Sequence, residues 1–538
     1  MQLGLSFSLL LATLLFSLSS GVQAAPAKRG GLITLPLKRI THLRDDVHPT
    51  ILLQQHINRG LKRHAYMTGR SAPTKRELQE NIDKRLYLPA SGPGSRKPKS
   101  KRYNRQGVVA HGVTGSELIS NKAAAKKTGK AKAVGAKGAK GKGAAAKGAA
   151  AAGAAGAAVG AGAAGAAGAA ANSSSNTGPG FSEVDLDAAN NGGLTVADAP
   201  ATANSLGLDI EANDVGYIAT IQMGTPPQNY NLLMDSGSAD LWVGGENCVS
   251  QSGGGCGNHT FLGTQSSSTF VDSGKPFAVT YGSGNVAGDI VTDNINVAGL
   301  ALNAHTFGVA TSESVDFSSD QTPFDGLMGL AQSTLSEQGV LTPVESLAQA
   351  GLITDAITSF KISRLADNKN DGEITFGGLD PTKFSANTLV TFANVNTQGF
   401  WEGAMTAVTV NGQDLGLQGR TAILDTGTTL VIAPPADAAA VHAAIPGAAS
   451  DGQGGFTIPC TSTASVALTF GGQAFAIDPR DLLFAPVDPT DLTGDCVSGI
   501  SSGQIGGADE WLVGDVFLKN AYFSTDVTNN QISLAELV

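Results

Sequence analysis

The 538-residue sequence predicts an all-β protein whose folded body is two similar lobes related by a pseudo-twofold axis. Two observations carry this. From about residue 205 the chain becomes a succession of short β-forming runs, such as Tyr217–Met223, Ala278–Tyr281, Ile290–Val297 and Ile374–Phe376, separated by Gly, Asn, Asp and Pro. Second, a pattern occurs twice. An apolar run delivers Asp235-Ser236-Gly237-Ser238, and another delivers Asp425-Thr426-Gly427-Thr428; much later each is followed by an apolar pair and glycine, Leu327-Met328-Gly329 and Leu512-Val513-Gly514.

The chain divides by composition. Residues 1–24 hold an apolar run from Leu3 to Leu18 and then small residues through Ala24, the pattern of a secretory signal peptide, although its first residues lack Lys and Arg. A membrane anchor is the competing reading, but the run falls short of the ~20 residues a spanning helix needs. Residues 25–110 are a basic segment with Lys-Arg pairs at 28–29, 38–39, 62–63, 75–76, 84–85 and 101–102. Such pairs suit a dibasic-cleaving protease, and solvated charged surface is the bland alternative. Residues 111–204 form a linker whose core, 121–171, is almost wholly Lys, Ala and Gly; it has too little large apolar surface to offset the entropy of ordering. The lobes then occupy 205–385 and 386–538. Short helices are expected at Pro343–Ala350 and Pro435–Ala444.

Charge is as uneven as composition. Residues 1–150 carry 28 of the 36 Lys and Arg but 6 of the 45 acidic residues, a net of +22, whereas the remainder carries −31. An acidic body joined to a basic arm points to intramolecular masking or to an anionic partner. A secreted protein seldom meets nucleic acid, so no nucleic-acid partner is expected, and no membrane partner either.

A buried strand that ends in an aspartate is costly unless the carboxylate is hydrogen-bonded or functional. One Asp-Ser/Thr-Gly proves little, since roughly one per chain arises by accident at this glycine content. Two copies with matching flanks are specific. Together with Tyr217–Gln228, Tyr281-Gly282-Ser283-Gly284, Phe324–Ala331 and Trp511–Leu518, they resemble the pepsin-like aspartic proteases, most of all secreted fungal members, over roughly residues 205–538.

The resemblance implies a monomeric, secreted endopeptidase made as a zymogen, working in acid without metal or cofactor, its own propeptide the inhibitor and peptides its substrate. Asp235 and Asp425 would jointly activate a water. Gly237 and Gly427 would let backbone N–H groups face the carboxylates. Ser238 and Thr428 would bond the outer carboxylate oxygens, and Ser236 and Thr426 would brace the two loops. Ser236 stands where Thr is commoner, keeping the hydroxyl and losing a methyl. Tyr281, Gly282 and Ser283 would form a mobile flap over substrate, with the Trp242 indole bonded to the Tyr281 hydroxyl.

Four cysteines allow three pairings. The implied lobes select Cys248–Cys256 in the first and Cys460–Cys496 in the second, which suits an oxidising compartment. Without a Cys-x-x-Cys pair, zinc is not expected. Three decoys fall away. Gly499-Ile500-Ser501-Ser502-Gly503 matches the serine-hydrolase pattern outside its strand–elbow–helix context. Asp367–Gly372 resembles a calcium loop but puts Lys369 at a ligand position and Gly378 at the closing one. Asn172 and Asn258 fit the N-glycosylation pattern, which permits a glycan without requiring one. Two rival functions remain. A catalytically dead binding module would show a lost aspartate or motif glycine, and neither is lost. In the other, the basic arm is the active part and the β body its carrier.

Overall fold

A computed structural model describes residues 49–67, 73–85, 87–88, 101–102, 180–281 and 284–538. Residues 1–24, read above as a signal peptide, the Lys/Ala/Gly tract, Asn172, Gly282 and Ser283 lie outside these residues. The described body is all-β and two-lobed, built on sheets of nine, eight, six and four strands.

Each lobe is organised by the same chain crossing. In the first, Gln228–Asp235 and Leu241–Ser250 are separated by a later strand, Gly326–Gly329, which runs parallel to the one and antiparallel to the other. In the second, Arg420–Leu424 and Val431–Ala433 are separated in the same way by Glu510–Val513. The inserted strand reaches the centre because a glycine ends it or follows it. A Cβ on Gly329 would stand 2.4 Å from the backbone of Ala239, and one on Gly514 1.9 Å from the Thr428 carbonyl oxygen. The sequence repeat is therefore a steric requirement of the crossing.

A six-stranded sheet ties the halves together. Its order is 390–393, 531–535, 522–526, 357–361, 373–376 and 205–207, so each half supplies three strands. The junction is the antiparallel pair Ile357–Lys361 and Tyr522–Asp526, where Phe360 and Phe523 stack at 5.5 Å. Burial is nearly complete there, and one apolar core runs continuously through both lobes. Both expected disulfide pairings are present.

Two departures from the sequence reading concern helices. Pro343–Gln349 and Pro435–Ala443 are helical as expected, but the basic segment also holds helices, Pro49–Met67 and Lys75–Arg85. The first buries Ile57 and Ala65 and half-buries Leu61, a four-residue spacing that puts all three on one face. The second opens with a capping box. Thr74 N–H donates to Glu77 Oε2 (2.8 Å), and Glu77 N–H donates back to Thr74 Oγ1 (3.3 Å). Residues 180–204, assigned from composition to the unstructured linker, are also ordered. They form the helix Glu183–Asn191 and the strand Leu194–Thr195, which joins the edge of the nine-stranded sheet. Composition failed there because Phe181, Val184 and Leu186 supply enough apolar surface once a partner surface exists.

Candidate active site

The two Asp-containing turns meet where the crossings face one another. Their outer residues grip across the interface in reciprocal pairs. Ser236 N–H donates to Thr426 Oγ1 (2.9 Å) and Thr426 N–H to Ser236 Oγ (3.0 Å). Each hydroxyl then donates into the opposite strand, Ser236 to the Leu424 carbonyl (3.1 Å) and Thr426 to the Met234 carbonyl (2.8 Å). Four hydrogen bonds, all buried, hold the loops in one register.

The carboxylates are held with the same symmetry. Gly237 N–H donates to Asp235 Oδ1 (3.0 Å), and Gly427 N–H to Asp425 Oδ1 (2.8 Å). Ser238 Oγ donates to Asp235 Oδ2 (2.5 Å), and Thr428 Oγ1 to Asp425 Oδ2 (2.6 Å). Both aspartates are almost wholly buried. Donors on each carboxylate fix its plane and offset the cost of burying it. Further back, the inserted strands lock the turns from behind: Leu330 N–H donates to the Asp235 carbonyl and Asp425 N–H to the Val513 carbonyl.

Tyr281 closes the strand Val271–Thr280 at the tip of a long hairpin with Asn285–Val297. Its N–H donates to the Gly284 carbonyl (2.7 Å), while its hydroxyl accepts from Trp242 Nε1 (2.8 Å). Phe317 packs edge-on against both rings, at 5.3 Å from Trp242 and 5.6 Å from Tyr281. Sequence reading missed Phe317, because nothing local links it to a hairpin tip more than thirty residues earlier.

A second missed residue is Asp515, which opens the short helix Asp515–Leu518. Its N–H donates to the Thr428 carbonyl (2.8 Å), which seats the helix on the Asp425 turn. Neither carboxyl oxygen has a hydrogen-bond partner. Burial pushes its pKa far above the ordinary aspartate range, opposed by Lys519 and reinforced by Asp425, Asp214 and Asp235. Burial therefore favours its neutral form. A Gly-Asp after an apolar strand was the only available signal.

The decoys have structural uses. Ser501 is buried in the strand Ile500–Ser502, with no elbow. Asp371 pairs with Lys361 and Lys369, and Asp367 with Arg364 and Arg480, so these carboxylates are committed to ion pairs. Asn258 is exposed.

Comparison with known proteins agrees with this geometry. The sequence model of the family "Eukaryotic aspartyl protease" matches residues 216–537. "Probable aspartic-type endopeptidase CTSD" of Trichophyton verrucosum is 36% identical over 347 residues, 64% of this chain and 66% of that protein, just under two thirds of its length. Rhizopuspepsin of Rhizopus chinensis is 35% identical over 328 residues, covering 60% of this chain and 79% of that protein. Pepsin A of Canis lupus familiaris is 31% identical over 328 residues, 60% of this chain and 81% of that protein. With the family match spanning more than half its length and the paired aspartate turns in place, the chain belongs to the eukaryotic aspartyl protease family.

Proposed function

We propose that the protein is a secreted aspartic endopeptidase, made as a zymogen, that hydrolyses peptide bonds in acid through a water held between Asp235 and Asp425. The observation that carries this is the pair of buried carboxylates, each fixed by a glycine N–H and a hydroxyl and joined by the reciprocal Ser236–Thr426 grip. The proposed reaction uses one carboxyl of the pair in its ionised form as base and the other in its protonated form as acid. The ionised member takes a proton from the water as its oxygen attacks the scissile carbonyl carbon. The protonated member donates to the carbonyl oxygen, and the collapsing tetrahedral species passes a proton to the departing amine. The flap excludes bulk water and strengthens each polar contact beneath it.

Asp235→Asn and Asp425→Asn should each lower kcat for a short peptide by about 10³-fold or more, with folding unchanged. Near-normal hydrolysis by either purified variant defeats the assignment. A peptide analogue with a hydroxyl-bearing carbon in place of the scissile carbonyl should bind tightly, and chelators should leave activity intact.

The zymogen reading has its own support. In the helix Pro49–Met67, Leu53 and Ile57 enter the main core, while Leu61 packs beside Ile432, on the strand that leaves the Asp425 turn, and near Gly503, which follows the neighbouring strand Ile500–Ser502. His56 meets Phe484 edge-on at 5.3 Å. The helix thus joins the charge complementarity between the +22 arm and the −31 body. A body carboxylate that pairs with an arm cation in the docked state would have its pKa lowered there, and such docking would weaken as pH falls through that value. With every Lys-Arg pair changed to Ala-Ala, residues 25–538 should be inactive on a short peptide at neutral pH and gain activity in acid. Full activity at neutral pH with the arm attached rules out inhibition by the arm.

A further inference from the structure

Beyond the paired aspartates, the body contains a cluster of buried charge that hydrolysis does not use. Lys519, at the end of the helix Asp515–Leu518, pairs with Asp214 (3.0 Å) and Asp481 (2.9 Å). Arg364 pairs with Asp481 (2.5 Å), and its NH1 reaches Asp367 (3.0 Å). Arg480 closes the rim against Asp478 and Asp367, both at 2.8 Å. Asp185, from the helix Glu183–Asn191, is directed into the same cavity.

That helix is encoded locally. Ser182 caps it by accepting from the Val184 N–H (3.1 Å), Glu183 and Asp185 stand in its first turn, and Gly192 ends it at φ +62°. It is also anchored. Phe181 is buried and its N–H donates to the Cys460 carbonyl (3.1 Å), while Val184, Leu186 and Ala188 pack on the main core. The chain from there to residue 207 is tied down throughout. Asn370 Nδ2 donates to the Thr195 carbonyl (2.8 Å), Ala197 N–H to Asp209 (2.8 Å) and Thr202 Oγ1 to Asp380 (2.7 Å). Ser205–Gly207 then forms an edge of the six-stranded sheet. Severing the chain between 180 and 207 would strip edge strands from two sheets.

We propose that residues 180–191 are a permanent clasp of the peptidase body, kept when the basic arm is removed, and that the clasp seats in acid and loosens toward neutral pH. The first half rests on the zymogen reading; the second does not. The electrostatic reason is a count of signs. Asp185 faces Asp214 from the turn before Gly216–Met223, Asp481 from the turn Pro479–Leu482, Arg364 beside the turn Leu365–Asp367, and Lys519. The two cations are already committed to Asp214 and Asp481, and the rim adds one arginine against two aspartates. Glu183 and Asp187, on the helix itself, are exposed. An ionised Asp185 is therefore an uncompensated negative charge, and its Oδ1 is closed to solvent without a hydrogen-bond partner.

Burial, reinforced by Asp214, raises the seated carboxyl to about 7. A released Asp has the ordinary value near 4, so the seated state binds the proton more tightly. Seating is then fully favoured below that ordinary value and weakens as pH rises through about 7. The cluster lies directly behind the Asp425 turn, through Thr429 Oγ1, which donates to the Val215 carbonyl (2.8 Å), and through the helix that carries Lys519.

The test is hydrogen–deuterium exchange of amides 184–192 in the full chain, with Asp235→Asn present to prevent self-digestion. Exchange is followed from pH 5 to 8 and corrected for intrinsic rates. Protection should fall at least tenfold across that range, and Asp185→Asn should keep the acid level throughout. Protection that is absent at all pH values, or equally pH-independent with and without Asp185→Asn, overturns the clasp. A companion Phe181→Ala should lower protection at every pH while retaining its slope; protection matching the unaltered chain would also count against anchoring. The mass of the mature wild-type enzyme should place its N-terminus at or before Gly180. An N-terminus within 181–204 overturns retention. An arm never removed would refute the zymogen reading, while exchange still decides the clasp.

Discussion

Buried titratable side chains set how this protein's stability responds to pH, and they pull in opposite directions. Glu313 is 2% exposed, and burial raises its carboxyl to about 7. Its unfolded value is near 4.5, so the stability linked to its proton is complete below that value and lost as pH rises through about 7. Glu313→Gln cannot ionise. It should match wild type in urea unfolding at pH 4 and exceed it at pH 8 by up to about 3 kcal/mol. His442 works the other way. It stacks on Phe456 at 3.9 Å and bonds Ser498 and the Ala438 carbonyl, and burial lowers it to about 4. Its contribution is complete above 6.5 and fades as pH falls through about 4. The two slopes oppose one another over overlapping windows, so Glu313→Gln removes one of them and leaves the histidine slope in place. An unchanged difference between pH 4 and pH 8 would refute this account.

At the scale of an element, the two inserted strands are the least tolerant parts of the fold. Gly514 has ordinary extended backbone, so its role is space and not conformational freedom. Gly514→Ala places a methyl against the Thr428 carbonyl and cannot be relieved by side-chain movement. It should destabilise by about 3 kcal/mol or more and reduce activity, because the displaced carbonyl belongs to the Asp425 turn. Gly378→Ala is the control: nothing lies within 4 Å of its added Cβ. It should stay within about 0.5 kcal/mol of wild type in the same unfolding experiment. Comparable losses in both variants would show that the crossing is not a special constraint.

For the whole molecule, the continuous core and shared sheet make the halves one cooperative structure, and each disulfide acts on its own lobe. Cys460–Cys496 spans a sequence separation of 36, against 8 for Cys248–Cys256. Loop-closure entropy predicts losses of about 4 and about 2.5 kcal/mol on removing each. Replacing both cysteines of a pair by Ser should lower the thermal midpoint more for the C-terminal pair. The reverse order, measured by calorimetry, would show that loop length does not govern the difference.

The sequence by itself determined the all-β class, the duplication, the paired aspartates and the residues on either side of them. Those features are short and periodic, and the chemistry of a buried carboxylate forces small, hydroxyl-bearing neighbours next to it in the chain. The disulfide pairing followed once two lobes were assumed. Tertiary structure alone decided where Phe317 and Asp515 act, since their partners are dozens of residues away. It also decided that residues 180–204 are ordered. Their helix cap and glycine stop were legible, but Phe181 gains a role only against Cys460, and Asp185 only against a cluster assembled from Asp214, Arg364, Asp481 and Lys519. The helix Pro49–Met67 lies between these cases. Its apolar spacing was readable among the lysines and arginines, but the surface that makes it worth forming is assembled only when the second lobe folds.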